Sequence, residues 1–169
     1  MRIKLLVSDI DGVWTDGSFY YSEKGDALRK FSTKDSFGVS LANIMDLPIL
    51  ILSGEQNEMV ISRLKKLNIT NYQLGVKNKL NALLDFCTLY AISLSEVAYI
   101  GDDMNDHALL NKVGLFVCPV DANLRIKQNA HVTLEKKGGE GAFREFVEYV
   151  LEKEGVLEVA YDRYIKIND

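Results

Sequence analysis

The chain has 169 residues, 47% of them hydrophobic and 26% charged, with a formal net charge of −4. That length can bury a real core within one domain. The acidic balance argues against a general nucleic-acid binder, which shows a basic face, and no apolar stretch reaches the roughly 18 residues of a membrane span.

In chain order, the first feature is Ile3-Lys4-Leu5-Leu6-Val7-Ser8, which closes on Asp9-Ile10-Asp11-Gly12. A short apolar run bounded by turn residues reads as a buried strand. Gly17 to Tyr21 and Ala27 to Phe31 flank a polar, Gly-containing turn and read as a β-hairpin. Phe37, Val39, Leu41, Ala42, Ile44 and Met45 fit a helix packed on a sheet. Pro48 to Leu52 is a second core strand, ending in Ser53-Gly54-Glu55. Met59, Val60, Ile61, Leu64 and Leu67 suit the next helix, and Tyr72 to Leu74 a short strand. Lys77-Asn78-Lys79 opens an amphipathic helix through Leu80, Leu83, Leu84, Cys87 and Ala91. Val97 to Ile100 is a third core strand, followed by Gly101-Asp102-Asp103-Met104-Asn105-Asp106 and a short helix at Ala108 to Leu110. Leu115 to Val117 reads as a strand, Asn123 to Asn129 as a helix and His131 to Thr133 as a short strand. Gly138-Gly139-Glu140-Gly141 leads into a helix from Ala142 to about Lys153, and residues 154–169 read as a polar tail with weak alternation.

Strands alternating with helices predict an α/β fold with a mostly parallel sheet, and ligands bind outside the carboxyl ends of such strands. The acidic clusters after the first and third core strands and the Ser-Gly-Glu after the second should therefore meet at one site. The N-terminus enters a strand at once and has no signal-peptide layout. Cys87 and Cys118 read as reduced packing residues, so a cytoplasmic protein is expected.

The residue types suggest a divalent cation and a phosphate. Asp9, at the end of a buried strand, is placed to attack phosphorus and form an aspartyl-phosphate. Asp11 is placed to protonate the leaving oxygen and later activate water. Taken alone, the pair also fits two solvated loop carboxylates, a helix cap or the start of a calcium loop. A calcium loop needs a glutamate at its twelfth position, and counting from Asp9 that position is Tyr20. The Ser53 hydroxyl and the Gly54 N–H can hold phosphoryl oxygens, although a serine there also suits a helix cap. Lys79 can neutralise a phosphoryl group, or be a solvated helix lysine. Asp102, Asp103 and Asp106 crowd one turn, which a cation would relieve; Mg²⁺ takes such oxygen ligands. The expected Mg²⁺ ligands are Asp9, the Asp11 carbonyl and Asp102, with Asp103 and Asp106 fixing the loop.

Together these motifs resemble the haloacid dehalogenase superfamily of phosphatases over nearly the whole chain. The resemblance rests on Asp9 to Gly17, Ser53-Gly54, Lys79 and Gly101 to Asp106. It implies a Mg²⁺-dependent aspartyl-phosphate mechanism in a Rossmann-like, three-layer α/β/α fold. Residues 12 to 52 and 54 to 78 leave no room for a full cap domain, so one capless domain over 1–169 is expected, with a hairpin flap at 18–31. The missing cap favours hydrolysis over a mutase reaction.

Lys30-Phe31, Asp35, Gly38, Gly75-Val76 and Gly138 to Glu145 narrow the resemblance to the phosphatases of 3-deoxy-octulosonate 8-phosphate and their nonulosonate relatives. It implies a homotetramer whose hairpins pack together, with a neighbour's hairpin and tail enclosing a small phosphorylated sugar acid. Phe19, Tyr20 and Tyr21 fit such a hairpin. The octulosonate phosphatases usually read Thr-Gly-Arg where this chain reads Ser53-Gly54-Glu55. Glu55 with Arg63 and Lys66 resembles the branch acting on 2-keto-3-deoxynononate 9-phosphate. Arg63 and Lys66 share a helix face at i,i+3 and are expected to bind the substrate carboxylate. The expectation is thus a nine-carbon 9-phosphate, unsubstituted or N-acylated. The alternatives are the eight-carbon 8-phosphate and, in another class, a non-catalytic oligomerisation module.

Overall fold

The runs Leu5–Ser8, Ile49–Leu52, Val97–Ile100 and Leu115–Cys118 are buried at every position. Strands buried on both faces read as continuous apolar runs, the pattern of a parallel sheet covered by helices. The computed structural model describes residues 2–168. Its elements are β1 (Leu5–Ser8), β2 (Tyr20–Ser22), β3 (Gly25–Leu28), α1 (Lys34–Ile44), β4 (Ile49–Leu52), α2 (Glu58–Lys66), β5 (Asn71–Gln73), α3 (Lys79–Leu89), β6 (Val97–Ile100), β7 (Leu115–Cys118), α4 (Leu124–Asn129), β8 (Val132–Thr133), α5 (Ala142–Lys153) and α6 (Leu157–Asn168).

Six strands form one parallel sheet in the order β5-β4-β1-β6-β7-β8. The chain leaves β1 for β4 on one side and later returns to β6 on the other, so β1 lies at the switch in direction. Ser8 pairs with Ile51 on one flank and Ile100 on the other. This register brings Asp9, Ser53 and Asp102 out of the sheet at nearly the same height. The expected three-layer α/β fold is therefore present.

Alternate residues of each inner strand feed opposite faces. Leu6, Ile51, Ala98, Ile100 and Val117 pack with Leu41, Val60, Leu64, Phe143 and Phe146 of α1, α2 and α5. Leu5, Val7, Leu50, Tyr99 and Phe116 pack with Leu83 and Cys87 of α3 and Ile126 of α4. Helices α1 and α5 approach closely at Gly38, where a Cβ would lie 2.9 Å from Arg144 Cα. The Asp35 carboxylate of α1 accepts the Arg144 N–H at 3.1 Å. It thereby caps α5, whose own N-cap residue Gly141 has no side chain to do so.

Strands β2 and β3 form a separate antiparallel hairpin, pairing Ser22 with Gly25. After Asp103 the chain forms a 3-10 helix over Met104–Leu109, which takes in Ala108 and Leu109 of the expected short helix and is capped by Leu110. Residues 157–168 are a helix where a polar tail was expected. Leu157, Ala160, Tyr161 and Tyr164 fall at i, i+3, i+4 and i+7, which is one helix face. Ala160 is fully buried, Tyr161 and Tyr164 lie against Phe37 of α1, and the Tyr161 hydroxyl donates to Glu148 at 2.7 Å.

Candidate active site

Asp9 leaves β1 in the middle of the sheet, almost fully buried. Its Oδ1 accepts the Ile10 N–H at 2.7 Å, and its Oδ2 lies 2.7 Å from Lys79 Nζ. Behind it, Ser8 donates to the Asp9 carbonyl at 2.6 Å and accepts the Trp14 indole N–H at 2.9 Å. Trp14 stacks on Phe143 with ring centroids 4.2 Å apart, which ties this loop to α5. Gly12 has φ +81°, and a Cβ there would lie 1.9 Å from Asp102 Oδ2. A side chain at position 12 would thus fill the acidic centre. Gly138 packs as tightly from the other side: its Cβ would lie 2.1 Å from the Gly12 carbonyl oxygen.

Lys79 is the first residue of α3, and Asn78 caps that helix. Its ammonium is buried between Asp9 and Asp106, 2.7 Å from each. Asp106 also accepts from the Tyr99 hydroxyl at 2.5 Å and from the Asp102 N–H at 3.0 Å. It therefore holds Lys79 and the loop after β6 in place. Asp103 begins the 3-10 helix as its N-cap, accepting from Met104 N–H and Asn123 Nδ2.

Asp9, Asp102 and Asp106 offer oxygens that all lie within 4.8 Å of one another. Burial, then Asp106, pushes the Asp9 carboxyl up to about 7. Burial, followed by Asp9, Asp106 and Asp103, pushes Asp102 up to about 8. Burial opposes charge on Lys79, but Asp9 and Asp106 outweigh it and raise its pKa. Ionised together, three crowded carboxylates would exceed the charge of this one ammonium, and all the donors are hard oxygens. That set fits a Mg²⁺-like cation.

A cleft of about 340 Å³ opens over this centre. Asp9, Asp11, Ser53, Gly54, Glu55, Asp102 and Asp103 line it, with Gly12, Gly17, Phe19 and Asn105. Ser53 follows β4 and is buried; its Oγ accepts the Glu55 N–H at 3.3 Å, and among the described residues its hydroxyl hydrogen meets no acceptor, so it can donate to an oxygen ligand. Lys79 and Asp106 lie beneath the cleft floor. The expected site residues thus converge, except two. Arg63 donates to the Ser32 carbonyl and to Ser36 Oγ, both at 2.9 Å, because α2 turns that face toward the start of α1. Lys66 is exposed in the last turn of α2, where a cation favours the helix dipole. Neither lines this chain's cleft.

Three contributors were not among the expected site residues. Phe19 and Asn105 line the cleft, and Arg29 reaches Asp11 from the hairpin.

Similarity to known proteins runs over the same residues. A family model described as haloacid dehalogenase-like hydrolase matches residues 50–145. The 3-deoxy-D-manno-octulosonate 8-phosphate phosphatase of Escherichia coli K12 is 36% identical over 159 residues, 94% of this chain and 85% of that protein. The structure of the Yersinia pestis phosphatase of that name superposes with a TM-score of 0.88 at 33% identity, covering 92% of this chain and 84% of its own. That of the Moraxella catarrhalis phosphatase, in complex with magnesium, phosphate and KDO, gives 0.91 at 28% identity, covering 96% and 93%.

Proposed function

This chain belongs to the haloacid dehalogenase-like hydrolases and is a phosphoric monoester hydrolase of sugar-acid type; on that premise we propose that it hydrolyses 3-deoxy-D-manno-octulosonate 8-phosphate. The observation that carries this reading is the cleft itself. Asp9, Asp11, Ser53 and Asp102 line it above Lys79, in a chain 36% identical to a phosphatase of that sugar acid.

In this reading an Asp9 oxygen attacks phosphorus, and the bond to the sugar oxygen breaks. Asp11 gives that oxygen a proton. A water then loses a proton to Asp11 and attacks the aspartyl-phosphate, releasing phosphate and restoring Asp9. Ser53 Oγ and the Gly54 N–H hold phosphoryl oxygens, and Lys79 offsets charge on Asp9 and the transferring group. Asp9, the Asp11 carbonyl and Asp102 would hold Mg²⁺, which would supply positive charge to offset that of the carboxylates and the phosphoryl group. Asp106 keeps Lys79 in register.

A second reading, a nine-carbon 9-phosphate, is favoured by Glu55, whose exposed side chain lines the cleft. An acid beside the phosphate pocket suits sugar hydroxyls better than an anion. Arg63 and Lys66 could serve it only from a neighbouring copy. Tyr20, Tyr21 and Leu28 are exposed on the hairpin beside the cleft, which supports a homotetramer built on that hairpin. We read the chain as one catalytic domain. Among the described residues no helix is long and apolar enough to cross a membrane. The buried free thiols Cys87 and Cys118 suit the cytoplasm.

The test is kcat/KM for the eight-carbon and nine-carbon phosphates, measured side by side with Mg²⁺. An eight-carbon preference of about tenfold or more, roughly 1.4 kcal/mol, supports the first reading. The reverse preference selects the second. Turnover of neither substrate rejects both.

A further inference from the structure

Arg29 follows β3 directly, and its side chain is 1% exposed. Nη1 donates to both oxygens of Asp11, at 2.6 and 2.7 Å. Nη2 donates to Asp26 Oδ2 at 3.1 Å, and the guanidinium lies 4.3 Å from the centroid of the Phe19 ring. Asp26 in turn accepts from Asn57 Nδ2 at 2.9 Å, and Asn57 Oδ1 caps α2 by accepting the Met59 N–H. A continuous polar chain, Asp11–Arg29–Asp26–Asn57, therefore passes through the hairpin. It joins the loop after β1 to the start of the helix that follows Ser53-Gly54-Glu55.

This hairpin is inverted relative to an ordinary surface hairpin. It exposes Tyr20, Tyr21 and Leu28 and buries its arginine. Burying a guanidinium carries a large desolvation cost, and apolar replacements of buried ion pairs are often neutral or stabilising. Arg29 Nε and Asp26 Oδ1 are buried with no hydrogen-bond partner among the described residues. Seating the hairpin does not by itself call for a cation here.

What the cation does is fix one carboxylate. Asp11 Oδ1 takes Nη1 and also the Thr15 hydroxyl at 3.3 Å. Oδ2 takes Nη1 alone among the described residues. Oδ2 is thus the oxygen with lone-pair capacity left for a proton exchanged with substrate or water.

We propose that Arg29 is a positioning residue for Asp11: from the hairpin it fixes the carboxylate so that Oδ2 exchanges the proton with the leaving oxygen. The inference rests on the acid/base reading of Asp11. The proton leaves Oδ2 for the sugar oxygen as the P–O bond breaks, and Oδ2 recovers one from the water that attacks next. A misdirected Asp11 harms substrates whose leaving oxygen needs a proton. It harms little those whose leaving group departs as a stable anion.

The experiment compares kcat/KM for an alkyl phosphate, octulosonate 8-phosphate, with that for p-nitrophenyl phosphate in the Mg²⁺-loaded full chain. kcat/KM reports the steps up to loss of the leaving group, so slow hydrolysis of the aspartyl-phosphate does not mask the effect. General-acid assistance is worth about 10²–10⁴-fold. For Arg29→Met, the alkyl substrate should lose at least tenfold more than the aryl substrate. Arg29→Lys, which keeps a single cationic nitrogen but not the fork, should lie between Arg29→Met and wild type. It carries the test by itself if the Met variant does not fold. An equal fall for both substrates in the folded variants overturns the inference. Asp11→Asn separates the two levels. If it discriminates between the substrates and the Arg29 variants do not, only the positioning role fails. If Asp11→Asn does not discriminate, the acid/base reading fails as well.

Discussion

Lys79 Nζ stands 2.7 Å from Asp9 Oδ2, with both side chains almost fully buried. The strand end and the helix start that carry them are held together by Asp106, which takes the same ammonium at 2.7 Å. The lysine is therefore not a flexible surface cation that arrives with substrate. It is already docked on the carboxylate expected to attack.

Asp9→Asn should remove turnover while the fold remains. The amide keeps the shape and the oxygen facing the Ile10 N–H, but it is not a nucleophile at phosphorus. A fall of at least about 100-fold in kcat is expected with an unchanged circular dichroism spectrum, in line with loss of covalent catalysis. Activity above that level would reject Asp9 as the nucleophile.

Chelation provides a second check. EDTA should abolish hydrolysis, and Mg²⁺ should restore it. Full activity after exhaustive chelation, confirmed by elemental analysis, would rule out a cation held by Asp9 and Asp102.

Glu55→Arg should shift the ratio of kcat/KM toward the eight-carbon substrate. The change places a cation on the cleft wall where a carboxylate now lies. Bidentate recognition of a carboxylate is a task for which arginine is suited. A shift of about tenfold corresponds to roughly 1.4 kcal/mol. If the ratio does not move, Glu55 has no part in selectivity.

Stability should respond to Asp35. Burial raises its carboxyl from 3.8 to about 6, against the pull of the Arg144 N–H and the Arg63 charge. Between those values the native state keeps a proton that the unfolded chain has lost. The contribution of Asp35 therefore falls as pH rises through the window and stays unfavourable above it. Asp35→Asn keeps an oxygen for the Arg144 N–H and cannot ionise. At pH 7 it should be more stable than wild type by about 1–2 kcal/mol, with little gain at pH 4. Urea titrations at both pH values decide this, and an equal difference at the two would contradict it.

Removing residues 154–169 tests the role of α6. A free tail reaching a neighbour's site would change KM and leave folding intact. The helix packs on α1 and α5 through Ala160, Tyr161 and Tyr164. Loss of that packing should cost about 2–4 kcal/mol of stability. An unaltered denaturation midpoint would show that the helix contributes nothing to the core.

Much of this architecture is legible in the sequence, for a definite reason. Strands buried on both faces hold few polar residues, so β1, β4 and β6 stand out as largely apolar runs, and the groups they aim at ligands follow at once. Asp9, Ser53 and Asp102 needed no more than that. Lys79 was legible as the start of a helix, although its place beneath the floor was not. Arg29 was invisible because its burial follows from how the hairpin docks. That Arg63 lies outside this chain's cleft was invisible for a similar reason: two cations at i,i+3 share a face, but the sequence does not say which helix covers it. In α6 the correct spacing was present, but Glu158, Asp162 and Arg163 between the apolar positions mimicked an irregular tail.

The carboxylate of Asp35 that caps α5 comes from the first quarter of the chain, and the helix it caps lies near the end. During synthesis on a ribosome, α1 emerges long before its partner exists. Until Arg144 arrives, Asp35 is a solvated acid and the Gly38 face of α1 is bare. The nascent polypeptide therefore cannot complete the packing behind Trp14, or fix the loop of Asp9, until α5 has been translated. Chains stalled before α5 should accumulate as substrates for chaperones, with Asp9, Asp11 and Asp102 already made and not yet aligned.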